Sequence, residues 1–151
     1  MKEAAAVDST CLIGLERVSQ MDLIPQLFEP VLIAPAIARE FGRPIPWTTP
    51  VMAPDPHEVA ALAMIVDTGE AEAIAVAVEN SCLLITDDRQ ARNGARSLGL
   101  QVIGTLGILI RAKQQGLIGS IKPIIDSLES TGFHISQALI QEALQIAGEF
   151  Q

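Results

Sequence analysis

Apolar residues fall in short blocks along this chain, and acids or turn formers stand at the block ends. Ala4-Ala5-Ala6-Val7 is the first block, and it closes on Asp8. Val31-Leu32-Ile33, Leu83-Leu84-Ile85-Thr86 and Gln101-Val102-Ile103 have a similar form. Runs this short, apolar without alternation, read as strands buried on both faces. Between them, spacings of three and four predict helices over residues 11–18, 22–28, 36–41, 57–66 and 89–98. Three more are predicted over 106–115, 121–130 and 137–147, with Gly116, Gly132 and Gly148 near their ends. Residues 42–56 hold five prolines and the only tryptophan, which predicts an ordered loop with a short edge strand near Val51-Met52. Strands alternating with helices call for a mostly parallel sheet covered on both faces. The expected fold is therefore a three-layer α/β/α arrangement with four to five strands. Residues 1–151 read as a single domain whose C-terminal helical extension begins at about residue 117.

The stretch from Asp67 to Arg92 organises the rest. From Ala71 to Val78 only Glu72 is polar, so this helix is expected to be buried on more than one face. Asp67-x-x-Glu70 has the form of a capping box, which gives Glu70 a structural task. Glu72 does not share its face, has no such local task, and is costly to bury without a partner. Glu72 is the favoured site residue, with Glu70 in reserve. The strand ending at Thr86 runs into Asp87 and Asp88; one should cap the next helix and the other should be free. Ligands of open α/β sheets bind at the carboxyl ends of strands. Acids there, and at the head of a buried helix, point to a divalent metal site. Asp8 has two readings, helix cap or ligand. Glu40 lies near a helix end where the macrodipole disfavours an acid, so capping does not explain it, and it reads as a solvent-exposed acid or a site residue. Arg89, Arg92 and Arg96 share one helix face directly after the acids, as a phosphate-contact stripe or a solvated face. Gly104-Thr105-Leu106-Gly107 only faintly echoes a phosphate loop and lacks the spacing of a dinucleotide or P-loop site. His57 and His134 are isolated and read as surface residues.

Composition narrows the classes. Hydrophobic residues make up 49% of the chain, as in a packed globular protein. No apolar run approaches the length of a membrane span, and Lys2, Glu3 and Asp8 leave no signal-peptide core at the start. A cytoplasmic protein is expected, which suits two unpaired cysteines, Cys11 and Cys82, spaced for neither zinc nor redox chemistry. The net charge of −8 is unlike the basic footprint of a non-specific nucleic-acid binder. It is compatible with an acid cluster that needs cations, or with a basic partner. Four Phe, one Trp and no Tyr argue against a base-stacking sheet platform. Several carboxylates without a His or Cys cluster suit Mg²⁺ or Mn²⁺, as one ion or two.

In order along the chain, Asp8, Glu40, Glu72 and the Asp87-Asp88 pair resemble the acids of the PIN-domain family. The resemblance is strongest to its compact prokaryotic members, related to the toxins of toxin–antitoxin pairs. It is carried by AAAVDSTCLIGL, APAIAREF, GEAEAIAVA and LLITDDRQARNGARSLGLQVIGTLGILIRAK. The tail GLIGSIKPIIDSLESTGFHIS is similar to the C-terminal helices of a predicted nucleic-acid-binding PIN subfamily. The resemblance implies a parallel sheet between helices and Mg²⁺- or Mn²⁺-dependent ribonuclease action on RNA. By position it implies Asp8, Glu40, Glu72 and Asp88 as catalytic acids, with Asp87 as a neighbouring or alternate ligand. Ser9 or Thr10 matches the small hydroxyl residue after the first Asp. Arg89, Arg92 and Lys113 are candidates for holding flanking phosphates. A basic antitoxin and a second copy of the chain are the expected partners, and a membrane is not.

Two other readings compete. A haloacid-dehalogenase-type phosphatase also places an Asp after its first strand, but needs a second Asp two residues on, where this chain has Thr10. A non-catalytic PIN-like binding module would keep the acidic pocket and account for the net acidity.

Overall fold

A computed structural model describes residues 2–149. In chain order the elements are β1 (Glu3–Val7), α1 (Ser9–Arg17), α2 (Leu23–Leu27), β2 (Phe28–Ile33), α3 (Pro35–Phe41), β3 (Thr48–Pro50) and α4 (Pro56–Leu62). They continue with α5 (Thr68–Asn80), β4 (Leu83–Ile85), α6 (Arg89–Ser97), β5 (Val102–Ile103), α7 (Thr105–Gln114), α8 (Lys122–Ser130) and α9 (Gln137–Ile146). The five strands form one sheet in the order β3-β2-β1-β4-β5, and every pairing is parallel. Parallel strands need crossover connections, and the helices that supply them flank the sheet. This is the α/β fold expected from the blocks of apolar residues.

β1 lies at the middle of the sheet. The chain moves from it to β2 and β3 on one side, then to β4 and β5 on the other. The strand order therefore reverses between β1 and β4, where an open α/β sheet leaves a crevice at its carboxyl edge. Val7 is in register with Ile85, and the Asp8 amide donates to the Ile85 carbonyl at 2.9 Å. The residues just past these two strands, Asp8 and Thr86, are thereby brought side by side.

Helix α5 is the largest internal element. Ala71, Ala73, Ile74, Ala75, Val76 and Ala77 are all buried, and the helix packs on α3, α4, α6 and strands β1 and β4. Its run of alanines lets so many neighbours approach, and the expected capping box between Asp67 and Glu70 fixes its start. On the other side of the molecule α7 packs on α1, α2 and α9.

Among the boundaries that differ from the sequence reading, the helix expected over 57–66 ends at Leu62, and two strands are displaced. The edge strand is Thr48–Pro50 rather than Val51-Met52, with Pro50 opposite Ile33, and a proline is tolerated on an edge whose N–H side needs no partner. β2 begins at Phe28, not Val31, because a register irregularity between Glu3 and Ala5 absorbs Pro30, which has no N–H to give the ladder. No helix among the described residues is long and apolar enough to cross a membrane.

The C-terminal end is clasped by one carboxylate. Glu149 accepts from Lys113 Nζ and the Ile121 amide, each at 2.8 Å, and from the Ser120 hydroxyl (2.8 Å) and the Lys122 amide (3.1 Å). Burial alone would raise this carboxyl, but the Lys113 ammonium and the other three donors outweigh it and hold it at about 2. A depressed pKa contributes stability that is present above the ordinary value of 4.5 and is lost as pH falls toward about 2. Glu149→Gln should therefore lower the urea midpoint at pH 7, and the gap from the parent should narrow at pH 3. An equal gap at both values would show that the ionised carboxylate is not what holds the end.

Candidate metal centre

Asp8 is 2% exposed and caps α1, its Oδ1 accepting from the Ser9 amide at 2.8 Å. Its Oδ2 accepts from the Thr86 hydroxyl at 2.7 Å and the Thr10 hydroxyl at 3.2 Å. The two sequence readings of Asp8 are thus both compatible with one side chain. Thr86 is fully buried, and its hydroxyl also accepts from the Asp88 amide at 3.1 Å. One hydroxyl therefore sets the acid after β1 and the acid after β4 relative to each other. Sequence reasoning took Thr86 for the end of a strand; the available signal was a hydroxyl closing an otherwise aliphatic block directly before two acids.

Asp88 caps α6, with Oδ2 accepting from the Ala91 amide at 2.9 Å. Asp87 turns the other way. Its Oδ1 accepts from the Thr105 amide at 2.8 Å, and its Oδ2 from the Thr105 hydroxyl at 2.6 Å and Cys11 Sγ at 3.0 Å. With three donors already engaged, Asp87 ties the end of β4 to the starts of α7 and α1. Thr105 is a second residue that sequence reasoning passed over.

The helix acids divide differently from expectation. Glu72 accepts from the Ala36 amide at 2.9 Å, so it satisfies an otherwise orphaned donor at the start of α3. Glu70 is only 8% exposed and performs its capping task through Oε1, which accepts from the Asp67 amide at 3.3 Å. Its carboxyl also lies beside that of Asp88. Capping and site duty are not exclusive, and the structure brings Glu70, not Glu72, to Asp88. Glu40 reaches in from α3: Oε2 accepts from the Ser9 hydroxyl at 2.8 Å, and Oε1 lies where a Cβ on Gly69 would stand. Any side chain at position 69 would displace that carboxylate.

Asp8, Glu40, Glu70 and Asp88 form an acid cluster without a counter-cation: none of the four is in an ion pair among the described residues. Burial raises the Asp8 carboxyl against the pull of Thr86, Ser9 and Thr10, and the Glu40 charge adds to the rise. Burial, with Asp88 and Asp67 beside it, pushes Glu70 up to about 8. Like charges held together in a partly dry site are relieved by a proton or by a cation. As the side chains stand, no three of these groups already surround a common point among the described residues. The oxygen-only donor set and its uncompensated charge fit Mg²⁺ or Mn²⁺.

A model of the family described as PIN domain (DUF3368) matches residues 4–149. The chain belongs to the PIN-domain family. Its fold is similar to that of PAE2754 from Pyrobaculum aerophilum, with a TM-score of 0.56 and 19% identity over 74% of this chain and 97% of that one. It is also similar to SSO1118 from Sulfolobus solfataricus, described as a PilT N-terminus domain protein. There the TM-score is 0.50 and the identity 20%, over 72% of this chain and 92% of that one. No curated protein matches the chain.

PIN domains are generally metal-dependent nucleases and commonly bind Mg²⁺ or Mn²⁺. Of the residues expected at the substrate, Ser9 is buried against Glu40, and Thr10 is exposed beside Asp8. Arg89 and Arg92 open α6 next to Asp88, and Arg92 Nη1 donates to the Thr86 carbonyl at 3.5 Å. Lys113 is engaged by Glu149, at the far end of α7 from Thr105 and roughly 12 Å along the helix axis.

Two variants separate the helix acids. At roughly one hundred times its dissociation constant, Mn²⁺ should raise the parent's melting temperature by roughly 5–10 °C. Glu70→Gln should melt higher than the parent in EDTA at pH 7, because folding no longer has to protonate a carboxyl that is ionised in the unfolded chain, and should lose most of the Mn²⁺ response. Glu72→Gln should keep that response. The reverse pattern would return Glu72 to the site. Thr86→Val should weaken Mn²⁺ binding by roughly 10–100-fold, as loss of a group orienting a ligand does; titration calorimetry on the metal-free protein measures it.

Proposed function

We propose that this PIN domain is a metal-dependent ribonuclease that hydrolyses RNA phosphodiesters, working as the toxin of a toxin–antitoxin pair. The observation that carries the reading is the cluster of Asp8, Glu40, Glu70 and Asp88 at the sheet's switch point, with no side-chain cation paired to any of them among the described residues. In this reading Asp8, Glu70 and Asp88 hold one or two Mg²⁺ or Mn²⁺ ions, with Glu40 alongside. Glu72 and Asp87 support the shell through Ala36 and Thr105. Bound metal would lower the pKa of an attacking water and stabilise charge on the phosphate.

The chain's own residues do the positioning. Thr86 holds Asp8 and Asp88 in one geometry, and Ser9 holds Glu40 toward the same space. In this reading Thr10, exposed at the rim, meets the RNA, and Arg89 and Arg92 hold flanking phosphates. Lys113, tied to Glu149, is the weakest of the proposed substrate contacts. The net charge of −8 suits an antitoxin with a basic segment, and a second copy of the chain is the other proposed partner. The same acidity supports one alternative, a PIN module that binds a partner without catalysis.

The test is cleavage of a mixed panel of RNAs by purified protein with Mn²⁺, with Mg²⁺ and with EDTA, beside Asp8→Asn. Cleavage should require metal and fall at least 100-fold in the variant, whose circular dichroism and oligomeric state should match the parent's. Equal cleavage by both proteins would remove Asp8 from the reaction. Metal binding without cleavage of any RNA would favour the binding module.

A further inference from the structure

Beside the acid cluster lies a groove of about 830 Å³, between α6 and the segment that joins α8 to α9. Arg89, Arg92 and Arg96 form one wall, and Phe133, His134 and Leu139 belong to the other. The groove runs against the sign of the molecule. The chain carries 18 Asp and Glu against 10 Lys and Arg, yet the lining holds three arginines and a single acid, Asp87. That acid is already occupied by Thr105 and Cys11. None of the three arginines is in an ion pair among the described residues. Their i, i+3, i+7 spacing aims them into one space, and Arg89 comes directly after Asp88, so the stripe starts at the acid cluster and leads away from it.

The opposite wall is apolar and partly uncovered: Leu139 is 53% exposed. Phe133 is fixed from behind by Gly14 of α1, where an added Cβ would stand 2.9 Å from Phe133 Cε2. Cations along one side and an aromatic and aliphatic surface along the other are what a single nucleic-acid strand requires, phosphates to the arginines and bases to the apolar wall. The volume is within the range of small-molecule sites and too confined for a duplex.

We infer that this groove binds a single-stranded segment of the RNA substrate flanking the cleaved phosphate, and that the C-terminal helices supply its base-contacting wall. The inference rests on the ribonuclease reading and adds to it a path for the strand and a role for the segment around Phe133. A basic antitoxin is repelled by the arginine wall.

The experiment measures fluorescence anisotropy of a 5′-fluorescein-labelled, mixed-sequence 12-nucleotide RNA with the full chain, Ca²⁺ replacing Mg²⁺, across a salt series. Arg96→Glu and Leu139→Glu should each weaken binding tenfold or more, and Arg96→Glu should reduce the salt slope by about one. Arg96→Lys should recover most of the affinity, and all three should keep the parent's Mn²⁺-induced rise in melting temperature. Unchanged RNA binding by both Glu variants, with the parent still cleaving, would overturn the groove and leave the nuclease standing. A parent that neither binds nor cleaves RNA would overturn both. Conversion of a dimer to a monomer by the Glu variants, with RNA binding intact, would assign the groove to a second copy of the chain.

Discussion

The Thr86 hydroxyl, between the Asp8 carboxylate and the Asp88 amide, is the contact on which the site depends. It is possible only because β1 and β4 are adjacent and parallel, with Val7 level with Ile85. Adjacency brings the two strand ends together but does not orient the side chains beyond them. The hydroxyl does that, donating to one side of the switch point and accepting from the other. A valine of nearly the same shape would fill the space, leave Asp8 Oδ2 with the longer Thr10 contact alone and take the partner from the Asp88 amide, which in a buried position costs more than the lost bond itself.

Around that contact, Glu70 and Asp88 are each attached through one oxygen, while Asp8 is held through both. Asp8 caps α1, Asp88 caps α6 and Glu70 caps α5. Helix N-termini tolerate negative charge, so three helices starting at one edge of the sheet allow carboxylates to gather where they would otherwise repel one another and ionise with difficulty. The compensation is incomplete. Glu70 is still driven up to about 8 and Asp8 is raised, and the remaining imbalance is more than a set of helix caps requires.

Much of this was legible in the residues. Apolar blocks without alternation marked the buried parallel strands, and the capping box at Asp67 and Glu70 appears where its spacing predicts. Asp8 and the Asp87-Asp88 pair stand out because each follows a strand block, while Glu40 and the choice of Asp88 over Asp87 rest on the resemblance to the PIN-domain family. The illegible part depends on distance through space. Glu72 looked available because no local partner explained it, but its partner, the Ala36 amide, is 36 residues away. Glu70 looked employed because its local partner was visible, and a carboxylate's second oxygen was left out of account. Asp87 and Asp88 could not be told apart because Thr105 and Cys11 are remote in sequence. The edge strand was misplaced because three prolines nearby, Pro46, Pro50 and Pro54, obscure any apolar run.

Two glycines show how closely the acids are fitted. Gly69 is the second residue of α5 and Gly104 caps α7, and neither has positive φ, so backbone freedom does not explain them. Both are explained by space. The Glu40 carboxylate takes the place of a side chain at Gly69, and Asp87 Oδ1 with Arg92 Nη1 does so at Gly104, at 2.5 and 2.6 Å from an added Cβ. The same two helix starts therefore admit an acid into the cluster at one point and a groove arginine beside an acid at the other. Acid cluster and basic groove are adjoining products of one sheet edge: the residues after β4 alternate in task, Asp87 anchoring α7, Asp88 facing Glu70, and Arg89 beginning the cationic wall. A shift of one residue in that turn would exchange an anchor for a cluster acid and a cluster acid for an arginine, so the register of three consecutive residues after Thr86 determines where the acid cluster ends and the arginine wall begins.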